Sequence, residues 1–460
     1  MSTTEAPARL GARAWAVLLV LCGAIFLEGI DVSMMGVALP SIRAELGLST
    51  GELQWVVSAY VLGYGGFVLL GGRAADLLGR RRMFVGWLAV FLVFSGLGGL
   101  ANDGWVLILA RFVTGIAAGF MTPAGLSIIT TSYPEGKQRN QALLVYAGIA
   151  AAGFSLGMVV GGLLTAIDWR WVFFAPVVLS AVLLPAALIL LPKEAPTTGE
   201  KKVFDLAGAF TLTGAMMLLV ATVVRAPDVP VLQTLLTLAA GLLLLTLFVA
   251  IERRTPAPLI RLGILRNAAL VRANLGAVAL VGSFVGFQFV AVLYLQELRH
   301  WSELETGLAL MVIGIDSVLA PTLTPWLVNR FGNAKVVLGG FAFAVAGYAL
   351  FLPLGADWTY FAMLPTFLLL GLAFSLAYGP LTIAATDGVA EAEQGLASGV
   401  LTTSFQFGSA LGLAIVAAVL AAADELTVAD FRTALVVPLA AAVLGLIAGA
   451  PGLVRRTVAA

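Results

Sequence analysis

The chain has 460 residues, 60% of them apolar and only 11% charged, which excludes a water-soluble globule. Lys and Arg number 26 against 25 Asp and Glu, and this formal charge of +1 gives no basic footprint for nucleic acid. A single Cys excludes a disulfide framework, and one His beside one Cys leaves neither a nucleophile–base pair nor a His-Glu-x-x-His metal site, so an intramembrane hydrolase is excluded too.

The first apolar run, roughly 15–38, follows Arg9 and Arg13. It is too long for a signal peptide and has no small-residue cleavage site, so it reads as a retained membrane span. Further runs follow at 54–72, 83–101, 105–130, 142–165 and 171–191, then at 206–224 and 231–250. The last group lies at 270–295, 306–328, 336–354, 359–384, 396–420 and 433–453. Each is long enough to cross a hydrocarbon layer of roughly 30 Å as a helix. The fold class is therefore an all-α integral membrane protein with 14 transmembrane helices and connections too short for a soluble domain.

An even count puts both termini on one side. With that side cytoplasmic, inside segments collect 20 of the 26 Lys and Arg, outside segments hold five (Arg43, Arg170, Arg225, Arg299, Arg432), and Arg111 lies within a span. The expected location is the plasma membrane, multi-pass, with both termini cytoplasmic. One inside loop, 387–395, runs against the pattern, with Asp387, Glu391 and Glu393 and no base.

The chain repeats itself weakly. Asp76-Leu-Leu-Gly79-Arg80-Arg81-Arg82 after span 2 matches Asn329-Arg-Phe-Gly332-Asn333-Ala-Lys335 after span 10 at an offset of 253. That offset relates spans 1–6 to spans 9–14. It predicts a six-helix bundle over 1–192, a linker with inserted spans 7 and 8 over 193–268, and a second six-helix bundle over 269–460, related by a pseudo-two-fold. Repeats of this kind are a transporter architecture, with a site near the mid-membrane between rocking bundles.

Gly72-Arg-Ala-Ala-Asp76-Leu-Leu-Gly79-Arg80-Arg81-Arg82 resembles the signature loop of the major facilitator superfamily. Asp31-Val-Ser-Met-Met-Gly-Val-Ala-Leu-Pro40, Trp169-Arg170-Trp171-Val-Phe173, Tyr294-Leu-Gln-Glu297 and Gly395-Leu-Ala-Ser-Gly399 resemble its fourteen-span drug:proton antiporter branch. The resemblance covers nearly the whole chain. It implies a monomeric exporter of drugs or natural products that uses the proton gradient and no cofactor or metal, with a small-molecule substrate, protons and the lipid bilayer as partners.

In physical terms, Gly72 and Gly79 allow a tight turn and close helix approach, while Asp76 can cap a helix or pair with Arg80 or its neighbours, forming a latch that breaks when bundles tilt. The alternative role of the arginines is a positive-inside anchor. Gly153, Gly157, Gly161 and Gly162 in span 5 form a glycine face similar to the branch's antiporter motif, with Met158 standing where that motif has proline. Tight packing alone also accounts for that face.

The candidate proton site is Glu28 with Asp31 and Arg111. Asp31 and Arg111 come out at similar depths, and a lone charge there costs about 2.5–3.5 kcal/mol on insertion scales, so they are expected to pair. Glu28 lies one turn deeper on nearly the same face. Two acids in a poorly solvated place share one proton and titrate together. In the second half Asp316 comes out near mid-depth, as a ligand for a proton or cation or as an acid bonded to a neighbouring helix. Gln288, Tyr378 and Gln406 join Glu28 and Asp316 as candidate cavity residues, or else serve as interhelical bonds. His300 falls in an outer loop as a bystander. The expected substrate is a small amphipathic molecule, lipophilic cations first; the alternative is a metabolite moved inward or without protons.

Overall fold

The computed structural model describes residues 11–133, 137–192, 205–226, 229–256, 258–387, 389, 394–422 and 426–450. Arg9, Lys193, Lys201, Lys202, Glu391, Glu393, Arg455 and Arg456 lie outside the described residues, as does the side chain of Asp76.

The described residues are helical and contain no strand. The first six spans are α1 (Ala12–Leu46), α2 (Thr50–Leu78), α3 (Arg80–Gly99), α4 (Gly104–Ser132), α5 (Lys137–Thr165) and α6 (Trp171–Leu190). The inserted pair is α7 (Leu206–Arg225) and α8 (Val231–Arg254). Then come α9 (Ala268–Leu293), α10 (Glu303–Met311), α11 (Asp316–Phe331), α12 (Asn333–Phe351), α13 (Tyr360–Thr386), α14 (Gln394–Ala421) and α15 (Val428–Gly449). Thirteen of the described helices, counting α9 with the π-turn Tyr294–Leu298 that closes it, are long and apolar enough to cross a membrane unaided, and the α10–α11 pair makes the fourteenth as a broken span.

That broken span is where the structure departs from the single run expected at 306–328. A 3-10 turn over Val312–Ile315 separates α10 from α11, and the helix bends by 56° between Ala320 and Thr322. Pro321 supplies the reason for the bend, since it has no N–H for the ladder. At the 3-10 turn the backbone of α13 presses in, and a Cβ added at Gly371 would stand 2.5 Å from the Ile313 carbonyl oxygen.

The 253-residue repeat is built into the backbone. α2 runs from Thr50 to Leu78, and α10 with α11 runs from Glu303 to Phe331, each bound displaced by the same offset. Both spans begin with a capping box, Ser49 with Glu52 and Ser302 with Glu305. The four described residues with positive φ fall into two pairs at that spacing: Gly47 (64°) with His300 (55°), and Gly79 (103°) with Gly332 (85°). Gly79 and Gly332 each form the whole junction between one span and the next. Asp76 is therefore in the last turn of α2 rather than in a loop.

Helices α1–α6 pack chiefly among themselves, as do α9–α15. The seams between the two sets are α2 against α14 and α5 against α10 and α11, with lesser contacts of α1 to α9 and α10. Inserted helix α7 packs against α8 and also against both α2 and α14, so it straddles one seam. The side bearing the Gly79 and Gly332 junctions, with Arg80, Arg81, Arg82, Arg330 and Lys335, is termed the basic face; the opposite side is the far face.

Candidate functional site: a buried acid pair between the helix sets

Helix α1 carries the acids into the interior because α5 lies almost backbone to backbone with it. A Cβ added at Gly157 would sit 2.8 Å from Ile30 Cα, and one at Gly161 would sit 2.7 Å from Met34 Cα. Gly153 meets the Phe26 carbonyl oxygen in the same way. Three of the four glycines singled out in the sequence thus form the α1 contact. The fourth, Gly162, faces the Glu303 backbone of α10 across the seam. Helix α5 runs unbroken through Met158, whose carbonyl meets Gly307 on α10 and whose sulfur accepts from Gln288 Nε2 at 3.8 Å.

Glu28 is 6% exposed and Asp31 2%, so both acids are withdrawn from solvent and lipid. Arg111 on α4 donates from Nη1 to Asp31 Oδ2 at 2.6 Å and from Nε to the Val56 carbonyl of α2 at 3.2 Å. Its guanidinium also lies 4.5 Å from the centre of the Tyr60 ring. One arginine therefore holds α1, α2 and α4 together through a charge-assisted hydrogen bond, a carbonyl and a ring face. Among the described residues Glu28 meets no cation and instead accepts a short hydrogen bond from the Thr122 hydroxyl of α4.

Three tyrosines that the sequence reading did not single out surround the pair. Tyr60 and Tyr64, one helical turn apart on α2, meet edge to face at 6.3 Å. Tyr60 faces both acids, and its buried hydroxyl has no hydrogen-bond partner among the described residues. Tyr64 and Tyr146 of α5 both lie within electrostatic reach of Glu28. The signal in the sequence was the four-residue spacing of Tyr60 and Tyr64 in an otherwise apolar span.

Helices α13 and α14 supply the facing wall. Tyr378 is sandwiched between Phe374 at 5.1 Å and Phe405 at 4.5 Å, with both rings nearly parallel to it. It is nonetheless 43% exposed and lies within electrostatic reach of Tyr64. Phe374 continues through Phe284 of α9 to Phe154 of α5 as a chain of ring contacts.

The other expected residues fall elsewhere. Asp316 is half-buried in the first turn of α11 and is not part of the hydrogen-bonded cluster of Glu28, Thr122, Asp31 and Arg111. Gln288 stands between Met158 of α5 and Gly36 of α1, and Gln406 packs on Gly65 of α2 at the α2–α14 seam. Both are thus seam residues. Among the latch residues, the close helix approach expected at Gly72 falls one position earlier: a Cβ at Gly71 would meet Phe120 Cα at 2.7 Å, whereas one at Gly72 would make only an ordinary 3.7 Å contact with Pro123. Gly79 makes the tight turn, and Arg80 is half-buried beside it.

The far-face end is closed across the two helix sets. Arg43 of α1 donates to both carboxylate oxygens of Glu297 at 3.1 Å, Ser41 donates to Glu303 at 2.9 Å, and Gln296 Nε2 donates to the Val37 carbonyl at 3.1 Å. The sequence had offered Tyr294-Leu-Gln-Glu297 only as a motif; the structure makes its last two residues a clasp. Outside the clasp lies an open cavity of about 840 Å³, lined in part by Arg43, Glu297, Trp301 and Glu303. At the basic face, Asp205 caps α7 by accepting from Gly208 N at 2.7 Å and also accepts from Leu259 N at 3.4 Å. The same turn is held by Glu252, which accepts from Ile260 N at 3.2 Å, and by Arg73, which donates to the Pro258 carbonyl at 3.1 Å.

Comparison with known proteins agrees with this architecture. The Major Facilitator Superfamily profile matches residues 21–413. The chain is 34% identical over 435 residues to the puromycin resistance protein pur8 of Streptomyces alboniger, covering 92% of this chain and 84% of that one. It is also 34% identical over 404 residues to the lincomycin resistance protein of Streptomyces lincolnensis, covering 87% and 83%. Among solved structures, the peptide transporter POT in complex with sulfate superposes with a TM-score of 0.70 at 16% identity over 94% of this chain and 93% of that one. A mutant of the nucleoside transporter NupG gives 0.69 at 14% identity over 95% and 99%. With a profile that spans most of the chain and a fold shared with solved transporters, this multi-pass membrane protein belongs to the major facilitator superfamily, as a transporter of the fourteen-span type and not an enzyme.

Proposed function

We propose that the protein is a proton-coupled exporter of small amphipathic molecules, lipophilic cations first, in the plasma membrane with both termini cytoplasmic. The observation that carries the reading is the buried placement of Glu28 one turn from an Asp31 already neutralised by Arg111 at 2.6 Å. Arg111 favours the charged form of Asp31, which leaves Glu28 to hold the shared proton. A cationic substrate entering from the basic face lowers the cost of a second negative charge and displaces that proton. Reopening at the far face releases the substrate and lets a proton return. The names of the relatives, resistance proteins for puromycin and lincomycin, support export of natural products.

The excess of Lys and Arg on the basic face supports its cytoplasmic orientation, and the Arg43–Glu297 clasp then seals the outside. Asp316 tunes which charged substrates are accepted, and Asp76, Gly79 and Arg80 act as the cytoplasmic latch between bundles 1–192 and 269–460.

Proteoliposomes loaded with a fluorescent lipophilic cation and given a pH gradient test the reading. Expected is substrate movement against proton flow that collapses with the gradient and is abolished by Asp31→Asn. Flux indifferent to the gradient would replace antiport by uncoupled transport, and flux in the same direction as the protons by uptake.

A further inference from the structure

Two buried acids on the inserted helices take no part in the Glu28 site. Asp205, at the N-terminus of α7, and Glu252, in the last turn of α8, are each 4% exposed. They grip one turn from two sides. The amide of Leu259 donates to Asp205 Oδ2 at 3.4 Å, and the next amide, that of Ile260, donates to Glu252 Oε2 at 3.2 Å. Consecutive amides reaching different acids place the two carboxyl groups side by side. Glu252 Oε1 is buried there with no hydrogen-bond partner among the described residues. We propose that Asp205 and Glu252 share one proton, and that this proton fastens α7 and α8 to the 258–260 turn and, through Arg73, to α2.

The surroundings do not support two negative charges. Phe248, one turn before Glu252, and Ala209, one turn after Asp205, belong with Leu259 and Ile260 to one buried apolar cluster. Neither acid has an ion-pair partner among the described residues. The charged groups nearby are Arg73 and Asp76 at the end of α2, Arg253 and Arg254 beside Glu252, Arg261 after the turn, and Arg266 closing the 3-10 turn Leu262–Arg266. Arg73 is engaged with the Pro258 carbonyl at 3.1 Å, and the other four arginines are exposed. Helix α14, which also packs on α7, carries no charged residue over 394–421. A second ionised carboxyl without a cation is costly in such a place, so a proton is retained.

The helix ends decide which acid holds it. Asp205 accepts from Gly208 N at 2.7 Å as well as from Leu259 N, at a helix N-terminus where the dipole favours an anion. Glu252 stands at a helix C-terminus, where the dipole disfavours one. The proton therefore sits on Glu252 Oε1, with Asp205 as its neighbouring acceptor. When pH rises, the Glu252 O–H bond breaks, the proton leaves to water, and two anions repel across the turn. The fastened state holds the extra proton, so fastening is complete at low pH and is lost as pH rises. Helix α7 rests on α2 at Gly66, where an added Cβ would overlap Thr213, while at Gly65 one would meet Gln406 Cβ of α14 at 2.6 Å. The inserted pair is thus a pH-sensitive brace on the α2–α14 seam, separate from Glu28 and independent of the direction of transport.

Hydrogen exchange resolved at Leu259, Ile260 and Gly208 tests this in the purified full-length protein without substrate. Gly208 is the reference, because Asp205 remains its acceptor in both states. Exchange at Leu259 and Ile260 relative to Gly208 is expected to rise about tenfold or more between about pH 6 and about pH 9, the span in which buried carboxyls lose their protons. Glu252→Gln keeps the shape, an acceptor for Ile260 and a donor for Asp205. It is expected to match wild type at the lower pH and to stay protected at the higher one. A wild-type ratio that does not change with pH overturns the proposal without any variant, and so does a Glu252→Gln protein that follows the wild-type rise or is already unprotected at the lower pH. None of these outcomes bears on Glu28 as the coupling site.

Discussion

Arg111 and Asp31, 80 positions apart in the chain, meet at 2.6 Å with side chains only 2% and 1% exposed. Removing one member of a buried pair leaves the other uncompensated, which typically costs about 3–5 kcal/mol. Arg111→Ala is expected to abolish coupled transport and lower the melting temperature in detergent. Arg111→Lys keeps a charge for Asp31 but gives up the Val56 carbonyl bond and the flat contact with Tyr60, so it is expected to retain partial transport. Transport assays paired with membrane-fraction blots check this, and equal activity of Arg111→Ala and wild type would remove the pairing from the mechanism.

The α1–α5 contact sets a steric prediction. At Gly157 an added methyl has the Ile30 backbone 2.8 Å away, while at Gly148 on the same helix there is nothing within 4 Å. Gly157→Ala should destabilise by about 1–3 kcal/mol, as overpacking does, and displace α1 with its acids. Gly148→Ala should be close to neutral. Thermal unfolding of the two variants side by side decides the point, and equal melting temperatures would refute the close-packing argument.

The far-face clasp is expected to act by charge. Arg43→Glu sets two acids against each other at Glu297 and should favour the outward-open state, and adding Glu297→Arg should restore the original balance. The only native Cys, Cys22, is buried, so a Gln288→Cys reporter is usable in this background. Labelling of that cysteine by an impermeant maleimide from outside should rise several-fold in Arg43→Glu and fall back in the double variant. No change in labelling would reduce the pair to a surface contact of the kind worth little.

His300 is held at a φ of 55°, a conformation that its repeat partner Gly47 adopts at 64° without a side chain. A β-carbon there costs about 1–2 kcal/mol. His300→Gly is therefore expected to raise stability by about 1 kcal/mol, and Gly47→Ala to lower it by a similar amount. Chemical unfolding curves compared at constant slope would show it; a destabilised His300→Gly would mean that the imidazole makes a contact outweighing its strain.

The turn at 258–260 gives a last expectation. Asp205→Ala leaves the buried amides of Gly208 and Leu259 without their acceptor, at a cost of about 1–3 kcal/mol. Asp205→Asn keeps one acceptor oxygen and should lose less. Protease sensitivity of the segment around residue 257 should increase in the order wild type, Asn, Ala.

Much of this was written in the sequence because a bilayer is a demanding solvent. Every backbone group must be satisfied within its own segment, so a long apolar run has one solution, a helix, and the count of fourteen spans followed from hydropathy alone. The pairing of Asp31 with Arg111 also followed, since a helix rises by a fixed step and a charge within a span needs a partner. The glycine face of α5 was legible for a similar reason: residues at four-residue spacing share a face, and glycine there has little use other than close approach.

What one chain direction cannot encode is which helix lies opposite which. That Glu28 would receive Thr122 rather than a base, that Tyr64 would lie within electrostatic reach of it, and that Tyr378 would be held between two phenylalanine rings depend on side chains from α1, α2, α4, α13 and α14 converging. The clasp of Arg43 with Glu297 joins residues 254 positions apart, so no local pattern announces it. The break of span 10 at Gly314 and Pro321 had its cause in plain view, but membrane helices also tolerate proline where neighbours satisfy the freed backbone, and here the α13 backbone pressing at Gly371 is part of the outcome. Helix existence is decided by transfer from water to lipid, residue by residue; the site is decided by contacts between helices, and those exist only once the bundles have packed.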